Sequence, residues 1–171
     1  MPDEDHVDFA LEGWRRERPD LNTAAKAVVQ RLGRGARYVE RSIEHVFDEF
    51  GLHPYEFYVL GVLRRSGKPY RMSPTQLART LLLTAASVTH RVDRLEKAGL
   101  VRRIPDPDDR RGIFVELTPR GLGLVDRAIE AHAAAEEYAV SGLTPGEQKE
   151  LARMLRKLLL TFGDTRPDRP K

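Results

Sequence analysis

Residues 73–100 read SPTQLARTLLLTAASVTHRVDRLEKAGL. Ser73-Pro74-Thr75-Gln76 has the form of a capping box: a serine that accepts from the third helical amide, a glutamine that reaches back, and a proline in the first turn. It opens a short helix over about 74–81, with Leu77 and Ala78 inward. Leu82-Leu83 turns the chain, and Thr84 caps a second helix that ends at Ala98. Gly99 is the left-handed stop. Within that second helix Val88, Val92 and Leu95 form one apolar stripe and must pack inward. Its opposite face carries Ala86, Ser87, His90, Arg91 and Arg94.

Two strands are predicted next, Leu100–Ile104 and Ile113–Leu117, the second with Ile113, Val115 and Leu117 on one face. Between them Pro105-Asp106-Pro107-Asp108-Asp109-Arg110-Arg111-Gly112 reads as a charged hairpin tip. Upstream, Tyr70-Arg71-Met72 suits an edge strand, and Pro54–Arg65 a helix with Phe57, Leu60 and Leu63 inward. A long helix begins at Asn22 or Thr23 and runs to Phe50, apolar at Val28, Leu32, Ala36, Val39, Ile43, Val46 and Phe47, closed by Gly51. A short helix over 6–18 precedes it, with Val7, Leu11 and Trp14 on one face. Thr118-Pro119 starts a helix with Leu122, Val125, Ile129 and Ala133 inward. Thr144-Pro145-Gly146-Glu147 launches a last one with Leu151, Met154, Leu155, Leu158, Leu159 and Phe162.

The order helix, turn, helix, hairpin defines a winged helix-turn-helix, whose second helix can enter a major groove. The fold class is therefore mainly α with a small β-wing. Residues 51–117 form the winged domain, 1–50 and 118–163 a helical lobe, and 164–171 a polar tail. The long helix exceeds what a small compact domain needs, so the lobe is read as a dimerisation lobe.

Charge distribution points the same way. Residues 64–120 hold 13 Lys/Arg against 6 Asp/Glu, while the rest of the chain holds 16 against 20. A basic centre between acidic flanks suits a polyanion such as double-stranded DNA. Small residues where the second helix begins, Thr84 and Ala86, let the backbone approach base edges. Ser87, Thr89 and His90 can hydrogen-bond to those edges, and Arg91 and Arg94 can reach bases or phosphates. Ser73 and Thr75 are candidate DNA-backbone contacts. Arg110 and Arg111 sit where a wing tip would meet the negative potential of a narrow minor groove, with Asp109 placed to hold a guanidinium in a fixed fork.

Several function classes fall away. The chain has no cysteine, which removes disulfides, thiolate catalysis and thiol redox sensing. Methionine oxidation is left as a minor route, with Met72 and Met154 expected to be buried. The five histidines form no ligand pair, so no metal or cofactor is expected. No apolar run is long enough to span a bilayer, and the acidic start is unlike a secretory signal, so a cytoplasmic protein with no membrane partner is expected. His132 and Glu136, one turn apart, are the best acid–base pair, but no nucleophile, phosphate loop or cofactor motif accompanies them, so no enzyme is expected. A winged-helix module that binds protein rather than DNA is the other alternative.

Asp109-x-Arg111, five residues, then Leu117-Thr118 resembles the D-x-R-x5-L-T wing signature of MarR-family regulators. The run Val92 to Val101 is similar to the end of that family's recognition helix, and Thr118-Pro119-Arg120-Gly121 to the start of its fifth helix. The resemblance covers residues 22–163. It implies a homodimer with interlocked terminal helices, sequence-specific regulation of transcription from a pseudo-palindromic operator, repression more often than activation, and release by a small anionic or aromatic effector. The leading helix with Trp14, followed by Glu17-Arg18-Pro19-Asp20-Leu21, and the run Tyr55 to Leu60 resemble the urate-responsive branch, which carries an aspartate where this chain has Tyr58. Trp14, Tyr58 and Arg110 are the candidate effector-pocket residues.

Overall fold

The computed structural model describes residues 4–109 and 112–165. The chain forms two compact units, Met1–Ile43 and Glu44–Lys171.

The first unit contains α1 (His6–Glu17) and most of α2 (Ala24–Glu49). Asp5 caps α1 in a reciprocal box: its carboxylate accepts the Val7 and Asp8 amides, and Asp8 accepts the Asp5 N–H at 3.0 Å. Val7 and Leu11 are buried. Arg31 of α2 donates to Asp8 at 2.7 Å and to Asp5 at 2.8 Å, tying the α1 cap to α2. Hydrogen bonds and the charge of this guanidinium hold both carboxyls below their ordinary range. Lys26 Nζ lies 4.6 Å from the centre of the Trp14 ring. At 26 residues α2 is about 39 Å long, yet Val28, Val29 and Val39 along it are exposed.

The second unit holds α3 (Pro54–Arg65), β1 (Arg71–Met72), α4 (Pro74–Leu81), α5 (Ala85–Lys97), β2 (Val101–Pro105), β3 (Ile113–Leu117), α6 (Pro119–Ala139) and α7 (Pro145–Thr161). The strands form one antiparallel sheet in the order β1-β3-β2, so the two-residue β1 is an edge strand as predicted. The core is built from Phe47, Phe57, Leu60 and Leu63, from Leu77 of α4, from Val88, Val92 and Leu95 of α5, and from Val101, Val115, Val125 and Ala128. Arg64 at the end of α3 donates to Asp126 of α6 at 2.6 Å.

Local signals placed the helix ends well, and long-range packing changed several faces. The first wing strand is shifted by one residue to Val101–Pro105, because Leu100 closes the Gly99 turn by donating to Leu95 O at 2.9 Å. On β3 Val115 and Leu117 are buried, but Ile113 at the hairpin end is exposed. Glu116 on the other face is buried, because Arg102 directly opposite pairs with it. On α6 the inward stripe is Gly121, Val125, Ala128 and His132, so Ile129 and Ala133, expected inside, are exposed. His132 is taken inside by two rings from other elements, Phe57 at 4.7 Å and Phe47 at 5.6 Å. No residue of α7 is buried, and Met154, expected inside, is 49% exposed; Met72 is half-buried.

Gly121 explains the Thr118-Pro119-Arg120-Gly121 run physically. Thr118 caps α6, accepting the Gly121 N–H at 3.0 Å and donating to Gly99 O at 2.8 Å. That double role pulls the first turn of α6 onto the Leu100 carbonyl, where a Cβ on residue 121 would lie 1.9 Å from the oxygen. Only glycine fits.

Candidate nucleic-acid interface

The turn between α4 and α5 is made by Leu82 in the left-handed conformation, φ 53°, unusual for a residue with a Cβ. The strain is held by Leu83 N donating to Ala78 O at 2.9 Å and by the Thr84 cap, whose hydroxyl accepts the Ser87 N–H at 3.2 Å. With Val88, Val92 and Leu95 buried, the outward side of α5 is set. Thr84, Ala86, Thr89 and His90 are exposed, and Ser87 and Arg91 are half-exposed. Thr89 donates its hydroxyl to Ala85 O at 3.0 Å, so it faces out with its donor already used. Ser73 caps α4 by accepting the Gln76 N–H at 3.2 Å, and Thr75 beside it is exposed.

The two arginines of α5 are held differently. The Arg91 guanidinium lies 4.3 Å from the centre of the Tyr55 ring, and that ring stacks on His53 at 4.8 Å. Arg94 forms an ion pair with Glu56, its Nε 2.8 Å from Oε1. His53 at the cap of α3, Tyr55 and Glu56 on α3, and Ser87, His90, Arg91 and Arg94 on α5 line one cleft of about 360 Å³. A second cleft of about 470 Å³ is lined by Phe50, Leu52, Leu100 and Leu124 together with Arg120 and Arg127.

The wing is joined to α5 by Arg103 of β2. Its guanidinium donates to Asp93 Oδ1 at 2.6 Å and to Glu96, while the Glu96 carboxylate also accepts the Arg103 backbone N–H at 2.9 Å. Partial burial works against the Arg103 charge, but the two carboxylates outweigh it and raise its pKa above the usual value. On the outer face of the sheet Arg102 Nε donates to Glu116 at 3.0 Å, and Arg71 lies 4.7 Å from the Phe114 ring centre. At the hairpin, Asp108 N donates to Asp106 Oδ1 at 2.9 Å and Asp106 N to Gly112 O at 3.0 Å. Asp109 precedes the tip; Arg110 and Arg111 lie outside the described residues.

The structure thus brings Ser87, His90, Arg91 and Arg94 to one cleft, with Ser73 and Thr75 on the neighbouring helix start. Of the three candidate effector residues, Trp14 is a partly exposed residue of the first unit. Tyr58 belongs to the second and sets its ring edge against Phe47 at 6.1 Å and Phe57 at 5.8 Å. Arg110 is not among the described residues. Sequence reasoning missed Glu56, Tyr55, Asp93, Glu96 and Arg103. Signals existed for some of them. His53-Pro54-Tyr55-Glu56 has capping-box spacing with histidine in the serine position, and Asp93 and Glu96 interrupt an otherwise basic helix, which asks for a cationic partner.

A family model described as MarR family matches residues 50–112, from just past α2 to just before β3. The chain is 36% identical over 152 residues to the HTH-type transcriptional regulator PecS of Dickeya dadantii, which covers 89% of this chain and 92% of that protein. It resembles the structure of a MarR family transcriptional regulator of Streptomyces coelicolor in complex with DNA, at a TM-score of 0.75 and 30% identity over 86% of this chain and 93% of the other. It also resembles BpsR of Bordetella bronchiseptica, whose structure addresses regulation of DNA binding by 6-hydroxynicotinic acid, at a TM-score of 0.68 and 27% identity over 77% and 97% of the two chains.

Proposed function

Since the chain belongs to the MarR family of transcriptional regulators, we propose that it acts in the cytoplasm as a homodimer that represses transcription from a pseudo-palindromic operator. In this reading residues 51–117 are the DNA-binding domain, and residues 1–50 with 118–163 form the dimerisation lobe. Each half-site takes one α5 in its major groove and one wing, with Arg110 and Arg111, in the adjoining minor groove. A dimer seated across a promoter excludes polymerase, so occupancy represses.

The observation that carries the reading is the two-sided character of α5. Its buried stripe fixes the helix on the core, and the opposite side offers Thr84, Ala86, Ser87, Thr89, His90 and Arg91 together. The dimer is supported by α7, which leaves Leu151, Met154, Leu159 and Phe162 exposed. Control by a small anionic or aromatic effector, with Trp14, Tyr58 and Arg110 as contacts, is supported by the likeness to BpsR and by the resemblance of α1 to the urate-responsive branch.

Sedimentation with a labelled duplex, followed by footprinting, tests this. Two protected half-sites about 34–36 Å apart, bound by two chains, are expected. A single protected half-site bound by one chain would overturn the dimeric reading. Binding to any duplex with equal affinity would overturn the sequence-specific one. Thermal shift followed by titration of the bound duplex tests the effector, since a ligand that weakens operator binding must itself bind less well to the DNA complex, by the same factor.

A further inference from the structure

Arg91 and Arg94 stand three residues apart on α5, yet the protein treats their charges in opposite ways. The Glu56 side chain is only 10% exposed, whereas that of Arg94 is 58% exposed. One Glu56 oxygen accepts the His53 N–H at 2.8 Å, which completes the cap of α3, and the other lies 2.8 Å from Arg94 Nε in an ion pair. A carboxylate this far out of water needs a counter-charge as well as hydrogen bonds, and Arg94 provides it. Arg91 meets a ring instead of an acid, so its charge stays uncompensated among the described residues and only its direction is fixed.

We propose that Glu56 is a specificity-determining residue of this DNA-binding protein. By taking Arg94 as its counter-ion it sets α5 on the start of α3 and withholds one positive charge from the phosphates. Recognition then rests on Arg91, Ser87 and His90. The proposal rests on the DNA-binding reading above and deepens it. An arginine free to meet phosphate adds affinity for every sequence alike, whereas base contacts depend on a fixed register of the helix. Pinning Arg94 therefore serves discrimination twice: it removes an indiscriminate contact, and it keeps Arg91 and its neighbours in place.

The full-length chain is measured by fluorescence anisotropy across a salt series on two duplexes. One is selected from a random pool by the wild-type protein, and the other is its scrambled counterpart. Glu56→Gln keeps the size of the side chain and the acceptor for His53 N–H but loses the charge. It is expected to bind the scrambled duplex several-fold more tightly and to steepen the salt slope by about 0.9, the value of one added phosphate contact. Discrimination between the duplexes is expected to fall about tenfold, equivalent to one base contact of modest strength. Arg94→Gln is expected to leave the wild-type salt slope unchanged, and Glu56→Gln combined with Arg94→Gln to return the slope to that value. If Arg94→Gln lowers the slope by one contact, Arg94 already serves phosphate and the proposal is wrong. It is equally wrong if Glu56→Gln folds and changes neither slope nor discrimination. Should Glu56→Gln fail to fold, the Arg94→Gln slope still decides. A wild-type chain showing no salt-dependent binding to either duplex would refute the DNA-binding reading itself, a result distinct from all of these.

Discussion

The guanidinium of Arg103 on β2 donates to Asp93 of α5 at 2.6 Å and also engages Glu96 one turn further along the same helix. This fork ties β2 of the wing to α5 at two points. Replacing it leaves two carboxylates facing one another across one helical turn, which repel. Arg103→Ala is expected to lower unfolding free energy by about 1–2 kcal/mol, the range for charge-assisted hydrogen bonds discounted for partial exposure. Urea denaturation measures that loss. Operator affinity is expected to fall further than stability alone explains, because both reading elements lose their common reference. A variant as stable and as tightly bound as wild type would show that the fork is incidental.

Gly121→Ala introduces a Cβ at 1.9 Å from the Leu100 carbonyl oxygen, with the Leu100 carbonyl carbon at 2.8 Å. Backbone atoms on both sides must move, since no flexible side chain is available to yield. The expected cost is about 3 kcal/mol or more, at the upper end for overpacking. Thermal unfolding followed by circular dichroism checks it. Gly123→Ala, whose Cβ would meet nothing within 4 Å, is the control and should be neutral or slightly stabilising.

These two positions show what was legible in the sequence and what was not. Ser73, Thr84, Thr118 and Thr144 announce their helices because a cap is a local bargain between a side chain and amides two or three residues on; all four cap as expected. The inner stripe of α5 was readable for the same reason, as was the left-handed Gly99. The face of α6 was not. Ile129 is outside and His132 inside because Phe47 and Phe57, some 80 residues earlier in the chain, stack on the imidazole. Glu56 with Arg94, and Arg103 with Asp93, are likewise pairs between elements, which no local periodicity encodes. At the candidate site the residue types on α5 could be read directly, but the assignment of Arg91 and Arg94 to different tasks needed their neighbours.

Acid is expected to loosen the cap of α1. Hydrogen bonds from Arg31 hold the Asp5 and Asp8 carboxyls below their ordinary value of 3.8. A depressed carboxyl contributes stability above its unfolded pKa and loses it as pH falls through the folded one. The attachment of α1 to α2 is therefore expected to persist at neutral pH and to loosen as pH falls below about 4. Trp14 is the sole tryptophan and sits on α1 beside Lys26 of α2, so its fluorescence reports this locally. Arg31→Gln should move the change upward, toward the ordinary carboxylate range. An unmoved titration would show that the ion pairs do not hold α1.

The last helix makes the sharpest demand on assembly. Leu151, Met154, Leu155, Leu158, Leu159 and Phe162 follow helical spacing along α7, and no residue of that helix is buried. An apolar stripe left open in water favours association, and in a closed dimer both copies bury the same surface. Met154 and Leu159 are each 49% exposed, so changing them leaves the core of the single chain untouched. Met154→Glu combined with Leu159→Glu is expected to shift the protein toward the monomer in sedimentation velocity. Each glutamate would have to be buried without a partner for the dimer to persist. Operator affinity should fall in parallel, because two linked half-site contacts become independent ones and the gain in effective concentration is lost. The helical content of the variant, read by circular dichroism, should stay close to wild type. If the doubly charged variant remains a dimer with unchanged operator affinity, α7 is not the surface that joins the two chains.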